Sequence, residues 1–247
     1  MFPIGDENEP GHGPAIATLV FIALNVFVFV VLQGFGGTQG EAFTYGYAAV
    51  PLEITTGEDL VRPVLVDTPQ GPQPVPQEPG PSPIWLTLLT SMFMHGGLLH
   101  IAGNMLFLWV FGDNVEHRMG TLGYIPFYLV AGVAGSLAQI AIDPSSPIPT
   151  LGASGAISGV LGAYIVMFPG NRVTVFLFRF VTQVPALVAI GLWALLQFVN
   201  GIGAFAVSEE TVGGVAYMAH IGGFVVGVVA GFVFRSLGAG PRRSPSR

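Results

Sequence analysis

The sequence predicts an all-α polytopic membrane protein, a bundle of six transmembrane helices with a short central fourth helix. Three observations carry that expectation. Of 247 residues, 51% are hydrophobic and only 9% are charged, where soluble domains carry roughly a quarter charged residues. Six apolar stretches recur with short gaps from Ala15 to Phe234, each close to the roughly 17 to 25 residues that cross a hydrocarbon core of about 30 Å. The fourth stretch falls short of that length.

The first stretch, Ala15 to Leu32, follows the acidic Asp6, Glu7 and Glu9 with no Lys or Arg before it. It lacks the basic start of a signal peptide and reads as a retained helix after a cytoplasmic tail, residues 1–14. An external loop from Gly34 to about Pro83 leads to the second stretch, Ile84 to Phe111. The loop's first half, with Phe43, Tyr45, Tyr47, Val50, Leu52 and Ile54, suits a folded segment at the interface, where aromatic rings are favoured. The loop is Pro-rich over about 57–83, and Thr68 to Pro83 reads as extended and mobile, without a core of its own. The third stretch is Tyr124 to Ile142. The fourth, Ala153 to Phe168, has 16 residues before the Pro169-Gly170 stop, about 24 Å of helix. Its first residues are therefore expected below the membrane surface, with Pro144 to Gly152 dipping into a cavity, because irregular backbone at that depth needs protein or water around it. Val173 to Phe180 mixes apolar residues with Arg and is expected along the cytoplasmic surface. The fifth stretch, Val181 to Val199, and the sixth, Gly213 to Phe234, complete a membrane domain over 15–235, followed by a cytoplasmic tail over 236–247.

Orientation follows from the excess of positive charge on cytoplasmic loops. With both termini inside, Arg118, Arg172, Arg179, Arg235, Arg242, Arg243 and Arg247 are cytoplasmic and only Arg62 is outside. A bacterial or archaeal cell membrane is the expected location. The net charge of −6 comes without any basic stripe to follow a phosphate backbone, which argues against nucleic acid as a partner. There are no cysteines, so disulfides, thiolate nucleophiles and cysteine metal sites are excluded together. The partners expected are the lipid bilayer and transmembrane protein substrates, with no metal and no cofactor.

Polar side chains in hydrocarbon are costly and point to function. His95, His100 and Asn104 lie in or just before the second span, Ser154 starts the fourth, and His220 lies within the sixth. The topology brings these five to one region near the outer face. Ser154, in Gly152-Ala153-Ser154-Gly155, sits at a helix N-terminus whose free N–H groups suit an oxyanion. Serine needs a base, and His220 is the only histidine of the last span. Gly-x-Ser-Gly alone is common in Gly-rich helices; an intramembrane histidine at the same depth gives it meaning. Gly155, Gly159 and Gly162 on the fourth helix, and Gly223, Gly227 and Gly231 on the sixth, make small-residue faces that allow close approach. His100 and Asn104, four apart, share a helix face and can donate to an oxyanion beside the Ser154 N–H, or else form a polar pair between helices. His95 is either a structural hydrogen-bonder or part of the site. No His-Glu-x-x-His is present for a zinc protease, the predicted spans hold no Asp or Glu for an aspartyl dyad, and no carboxylate lies near His220 in depth. A Ser154–His220 dyad remains.

With His95, His100 and Asn104 as HxxxxHxxxN, Gly152 to Gly155 as GxSG, and Ala219-His220-Ile221-Gly222-Gly223 with Gly227 around the base, the chain resembles the rhomboid proteases. Phe111 to Glu116 through Gly120, and Trp193 with Gln197, are also similar to that family. The resemblance implies a rhomboid-type six-helix bundle and an intramembrane serine endopeptidase. Ser154 would attack a peptide bond at or near a substrate's transmembrane helix, His220 would act as base then acid, and His100, Asn104 and the Ser154 N–H would bind the oxyanion. One position departs: some members carry a Tyr four residues after the nucleophile that stacks on the catalytic His, and this chain has Ser158. The competing readings are a catalytically inactive rhomboid-like binding or trafficking factor, against which both dyad members are present, and a transporter, for which no repeated half-structure appears.

Overall fold

The computed structural model describes residues 2–8, 13–68, 71–177, 179–206 and 216–237, and these are mostly helical. Strand β1 (Phe2–Asp6) precedes α1 (Ile16–Phe27), whose helix continues with a wider turn to Leu32. Helices α2 (Glu41–Tyr47) and α3 (Pro51–Thr56), the hairpin β2 (Val64–Thr68) and β3 (Gly71–Val75), and the short α4 (Thr87–Thr90) follow. Then come α5 (Leu98–Met119), α6 (Thr121–Ile140), α7 (Ser154–Met167), the hairpin β4 (Arg172–Leu177) and β5 (Phe180–Pro185), α8 (Ala186–Ala206) and α9 (Tyr217–Ser236). Helices α5, α6 and α9 are long and apolar enough to cross a membrane; Ile16–Leu32, Ile84–Phe93, Ser154–Met167 and Ala186–Gly201 are shorter apolar helices. Residues 213–215, expected to open the sixth span, and Arg242, Arg243 and Arg247 lie outside the described residues.

Helix α7 sits at the centre because it carries no charge and is apolar or small on every side. From Gly155 to Tyr164 each of its residues is buried. Glycines set how closely its neighbours approach. A Cβ added at Gly223 or Gly227 of α9 would overlap the carbonyl oxygen of Gly155 or Gly159 of α7, and one at Gly162 would overlap that of Phe224. On the α6 side, a Cβ at Gly135 would lie 3.3 Å from the Gly155 Cα. This is helix packing at backbone distance, the geometry small residues permit in a membrane.

Several expectations change. The second apolar stretch is two pieces: turns over Ile84–Phe93 end at an extended Met94, and α5 starts only at Leu98. The break falls at Gly96-Gly97, where helical backbone is least favoured, yet nothing in the hydropathy marks it. Helix α5 then runs on through Asp113 and Glu116 to Met119, so these carboxylates are inside a helix rather than beyond its end. Their charge is tolerated because it is partnered. Glu116 accepts hydrogen bonds from the Ala17 and Thr18 N–H groups at 2.9 and 2.8 Å, and from the Thr18 and Thr121 hydroxyls, capping the free N–H groups that open α1.

The all-α expectation is also amended. Arg172–Leu177 and Phe180–Pro185 pair as an antiparallel hairpin, and α8 begins after Pro185, not at Val181. Val173 and Val175 alternate inward, both fully buried, which is strand periodicity in β-branched residues. Strand β1, from the supposed tail, joins them in the order β1-β4-β5. In the loop after α3, Gly71–Val75, within the segment expected to be extended and mobile, pairs as β3 with β2. Gln77 is then buried and donates to the Pro147 carbonyl at 2.7 Å. Residues 144–152 are held in turn by protein: the Thr55 hydroxyl donates to the Pro144 carbonyl, Leu52 N–H to Ser146, and Ala49 pairs with Thr150. The irregular lead-in to α7 thus has protein partners for its backbone.

Strand β1 is tied to the helices by Asp6, which accepts from the Tyr164 hydroxyl at 2.5 Å and from Asn114 Nδ2 at 2.7 Å. Burial pushes its carboxyl up to about 6, with the charges of Asp113 and Glu7 adding to the rise and its hydrogen bonds opposing it. An acid whose pKa is higher folded than unfolded keeps a proton that the unfolded chain has lost, so its contribution is present at low pH and declines as pH rises from about 4 to 6. Allowing for partial exposure, the change is on the order of 2 kcal/mol. Thermal unfolding in detergent at pH 4.5 and 7 should show this decline in the wild type and a smaller one in Asp6→Asn, where Glu53, also raised by burial, remains. Equal pH dependence in the two proteins would remove Asp6 as its source.

Candidate active site

Ser154 is the first residue of α7, half-buried, and its N-cap Ala153 makes no side-chain capping bond. The N–H groups that open this helix are therefore uncapped by any side chain, an arrangement suited to anions. The preceding Gly152 has φ +132, a region glycine alone adopts readily, and its N–H donates to the Ser91 carbonyl at 2.9 Å. A Cβ at Gly152 would lie 3.0 Å from His100 Cε1 and Nε2 and 3.7 Å from Ser154 Oγ. The glycine thus makes the turn and lets the His100 ring come up beside the serine.

His100 Nδ1 accepts the Gly96 N–H at 3.3 Å. An accepting Nδ1 places the proton of a neutral ring on Nε2, the nitrogen that faces Gly152. His100 is therefore set up as a donor toward the serine. One turn on, Asn104 Nδ2 is buried with no hydrogen-bond partner among the described residues. His95 is fully buried. Its backbone is clamped by Gln33, whose Oε1 accepts the His95 N–H at 2.8 Å and whose Nε2 donates to its carbonyl at 3.1 Å. Its ring stands edge-on to His100, centroids 5.1 Å apart, without a hydrogen-bond partner on either nitrogen among the described residues. His95 thus meets the site by packing against His100.

His220 lies in the first turn of α9. Its level relative to Ser154 is set by contacts between their chain neighbours: a Cβ at Gly155 would lie 3.5 Å from the Ala219 carbonyl oxygen, and Gly223 abuts the Gly155 carbonyl. Nδ1 of His220 is 2.7 Å from Gln197 Oε1. The Trp193 and Tyr217 rings flank the imidazole at 6.0 and 6.5 Å. Ser158 does not reach it, since its hydroxyl donates to the Ser154 carbonyl at 2.6 Å. Gln33 went unremarked in the sequence, and Gln197 carried no role there. The signal for both was an amide in an apolar stretch.

The family model for the Rhomboid domain matches residues 83–237, which is most of the chain. The chain belongs to the rhomboid family. Among curated rhomboids, it is 32% identical over 220 residues to Rhomboid protease GluP of Bacillus subtilis, covering 89% of this chain and 35% of that protein. It is 32% identical over 152 residues to the mitochondrial Rhomboid protein 1 of Saccharomyces cerevisiae, and 30% over 146 residues to RHOMBOID-like protein 5 of Arabidopsis thaliana. Those alignments cover 60% and 59% of this chain. They span 41% and 43% of the relatives, so this rhomboid matches less than half the length of each of the three. The rhomboid match takes in Ser154, His220, His95 and His100 together. The relatives come from a bacterium, a mitochondrion and a plant, so the likeness does not select one kind of membrane.

Proposed function

We propose that this rhomboid is an intramembrane serine endopeptidase that cleaves transmembrane or membrane-proximal segments of membrane proteins through a Ser154–His220 dyad. The observation that supports this reading is the glycine contact at backbone distance between α7, which starts uncapped at Ser154, and α9, which carries His220 in its first turn. His220 takes the proton of Ser154 as its Oγ attacks the scissile carbonyl. The oxyanion accepts from the Ser154 N–H, His100 Nε2 and Asn104 Nδ2. His220 then protonates the leaving amine, and water, deprotonated by the same ring, hydrolyses the acyl-enzyme.

The surrounding bundle we read as six membrane-spanning helices, with α7 as the short fourth, in a membrane domain over 15–235. Both termini are cytoplasmic, in a bacterial or archaeal cell membrane. The arginine asymmetry supports this orientation. Incubation of purified protein with a labelled fluorophosphonate tests the dyad. Label should enter the wild type at Ser154 and be absent from Ser154→Ala. A folded wild type that takes no label would leave the catalytically inactive binding-factor reading in its place.

A further inference from the structure

A histidine is a base toward serine only if the nitrogen facing the hydroxyl carries the lone pair, which depends on what the other nitrogen bonds. For His220 that partner is an amide. Gln197 Oε1 lies 2.7 Å from Nδ1, on a helix different from those that carry Ser154 and His220. Gln197 and Trp193 are four apart on α8, so they share one face, and Trp193 packs on the same imidazole. Among the described residues no carboxylate bonds His220: Glu116 lies about 24 Å along α5 from His100, and the Nδ1 contact is to Gln197.

We propose that Gln197 is the positioning residue of His220: its side-chain carbonyl accepts the Nδ1 proton, leaves the lone pair on Nε2, and holds the ring between Trp193 and Tyr217. The opposite amide orientation would donate to Nδ1, put the proton on Nε2 and leave a ring unable to accept from serine. The inference rests on the proposed dyad. It gives position 197 a polarity as well as a shape: acceptors work there, and apolar side chains of the same length do not.

Two variants test this, with fluorophosphonate labelling rate, peptide turnover and thermal unfolding measured on the same detergent preparations. Gln197→Met keeps the length and loses the acceptor. It should lower kcat about 10- to 10²-fold with KM little changed, as expected when a catalytic ring is no longer held within about 1 Å of its place. Gln197→Glu keeps an acceptor and adds a negative charge beside Nδ1, which favours the imidazolium. It should retain turnover and move the acidic limb of the pH profile of kcat/KM up by about one unit or more. Among the described residues, His100 on α5 and Tyr217 on α9 are the titratable groups near His220; these, like every residue but 197, are unchanged in the variants, so a displaced limb reports position 197. A purely structural role would not move that limb. If Gln197→Met fails to fold, the profile of Gln197→Glu decides alone. Wild-type turnover in folded Gln197→Met, or an unmoved profile in Gln197→Glu, overturns the inference while labelling of the wild type leaves the dyad standing; an unlabelled wild type sinks the dyad itself.

Discussion

Asn104→Ala is expected to lower kcat by about 10² to 10³, about 2.7 to 4 kcal/mol of transition-state stabilisation, with little change in KM. The argument starts from a cost. A buried donor with no partner is unfavourable by about 1 to 3 kcal/mol, and Asn104 Nδ2 is such a donor among the described residues. It lies one helical turn from His100, whose ring is oriented by Gly96 and presented past Gly152 to the serine. A group that is unsatisfied at rest and satisfied by a developing oxyanion lowers the barrier without tightening ground-state binding. Steady-state cleavage of a transmembrane peptide separates the cases. A raised KM with unchanged kcat would make Asn104 a substrate-binding group instead.

Gly227→Val is expected to reduce turnover by on the order of 10² although it lies about 10 Å along α9 from His220. A Cβ there would overlap the Gly159 carbonyl oxygen and come within 2.7 and 2.8 Å of Gly159 C and Cα. Backbone cannot swing aside as a side chain can, so α9 must move away from α7, and His220 moves with it. Overpacking also costs about 1 to 3 kcal/mol of stability, so unfolding and turnover must be measured on one preparation. A graded series sharpens the result. At Gly231 the nearest atoms to a Cβ are Val166 Cβ at 2.9 Å and Ala163 O at 3.1 Å, and at Gly191 there is nothing within 4 Å. Activity should fall in the order Gly191→Ala, Gly231→Ala, Gly227→Ala, with the first near wild type. A folded Gly227→Val that cleaves at the wild-type rate would show that this contact does not place the base.

What could be read from the sequence was what the bilayer enforces. Long apolar runs have few other uses, and Ser154 and His220 stood out because hydrocarbon makes every polar group conspicuous. The features that escaped depend on partners distant in the chain. Hydropathy placed Glu116 outside a span because it carries charge, but four hydrogen bonds from residues of α1 and Thr121 keep it in the helix. The break at Gly96-Gly97 sits between apolar neighbours and leaves no trace in a hydropathy window, though it is what frees the Gly96 N–H to orient His100. The inward alternation of Val173 and Val175 was present in the sequence, but its pairing partner, β1, lies at the other end of the chain. Gln197 stood beside Trp193 in plain sight, and only the fold aims it at His220.

That pairing has a consequence for synthesis. Strand β1 leaves the ribosome before the other elements described, and the residues it meets come more than 160 positions later, as in the bond from Asn171 Nδ2 to the Glu7 carbonyl. At about 5 to 20 residues per second, the strand waits roughly 8 to 33 s for β4 to be made. Throughout that interval it is an unpaired edge with exposed Phe2 and Ile4, open to the wrong partner. When β4 arrives, β1 closes over helices already made, and Asp6 is drawn to Tyr164. The sheet therefore works as a late latch, engaged after α7 is in place and dependent on it.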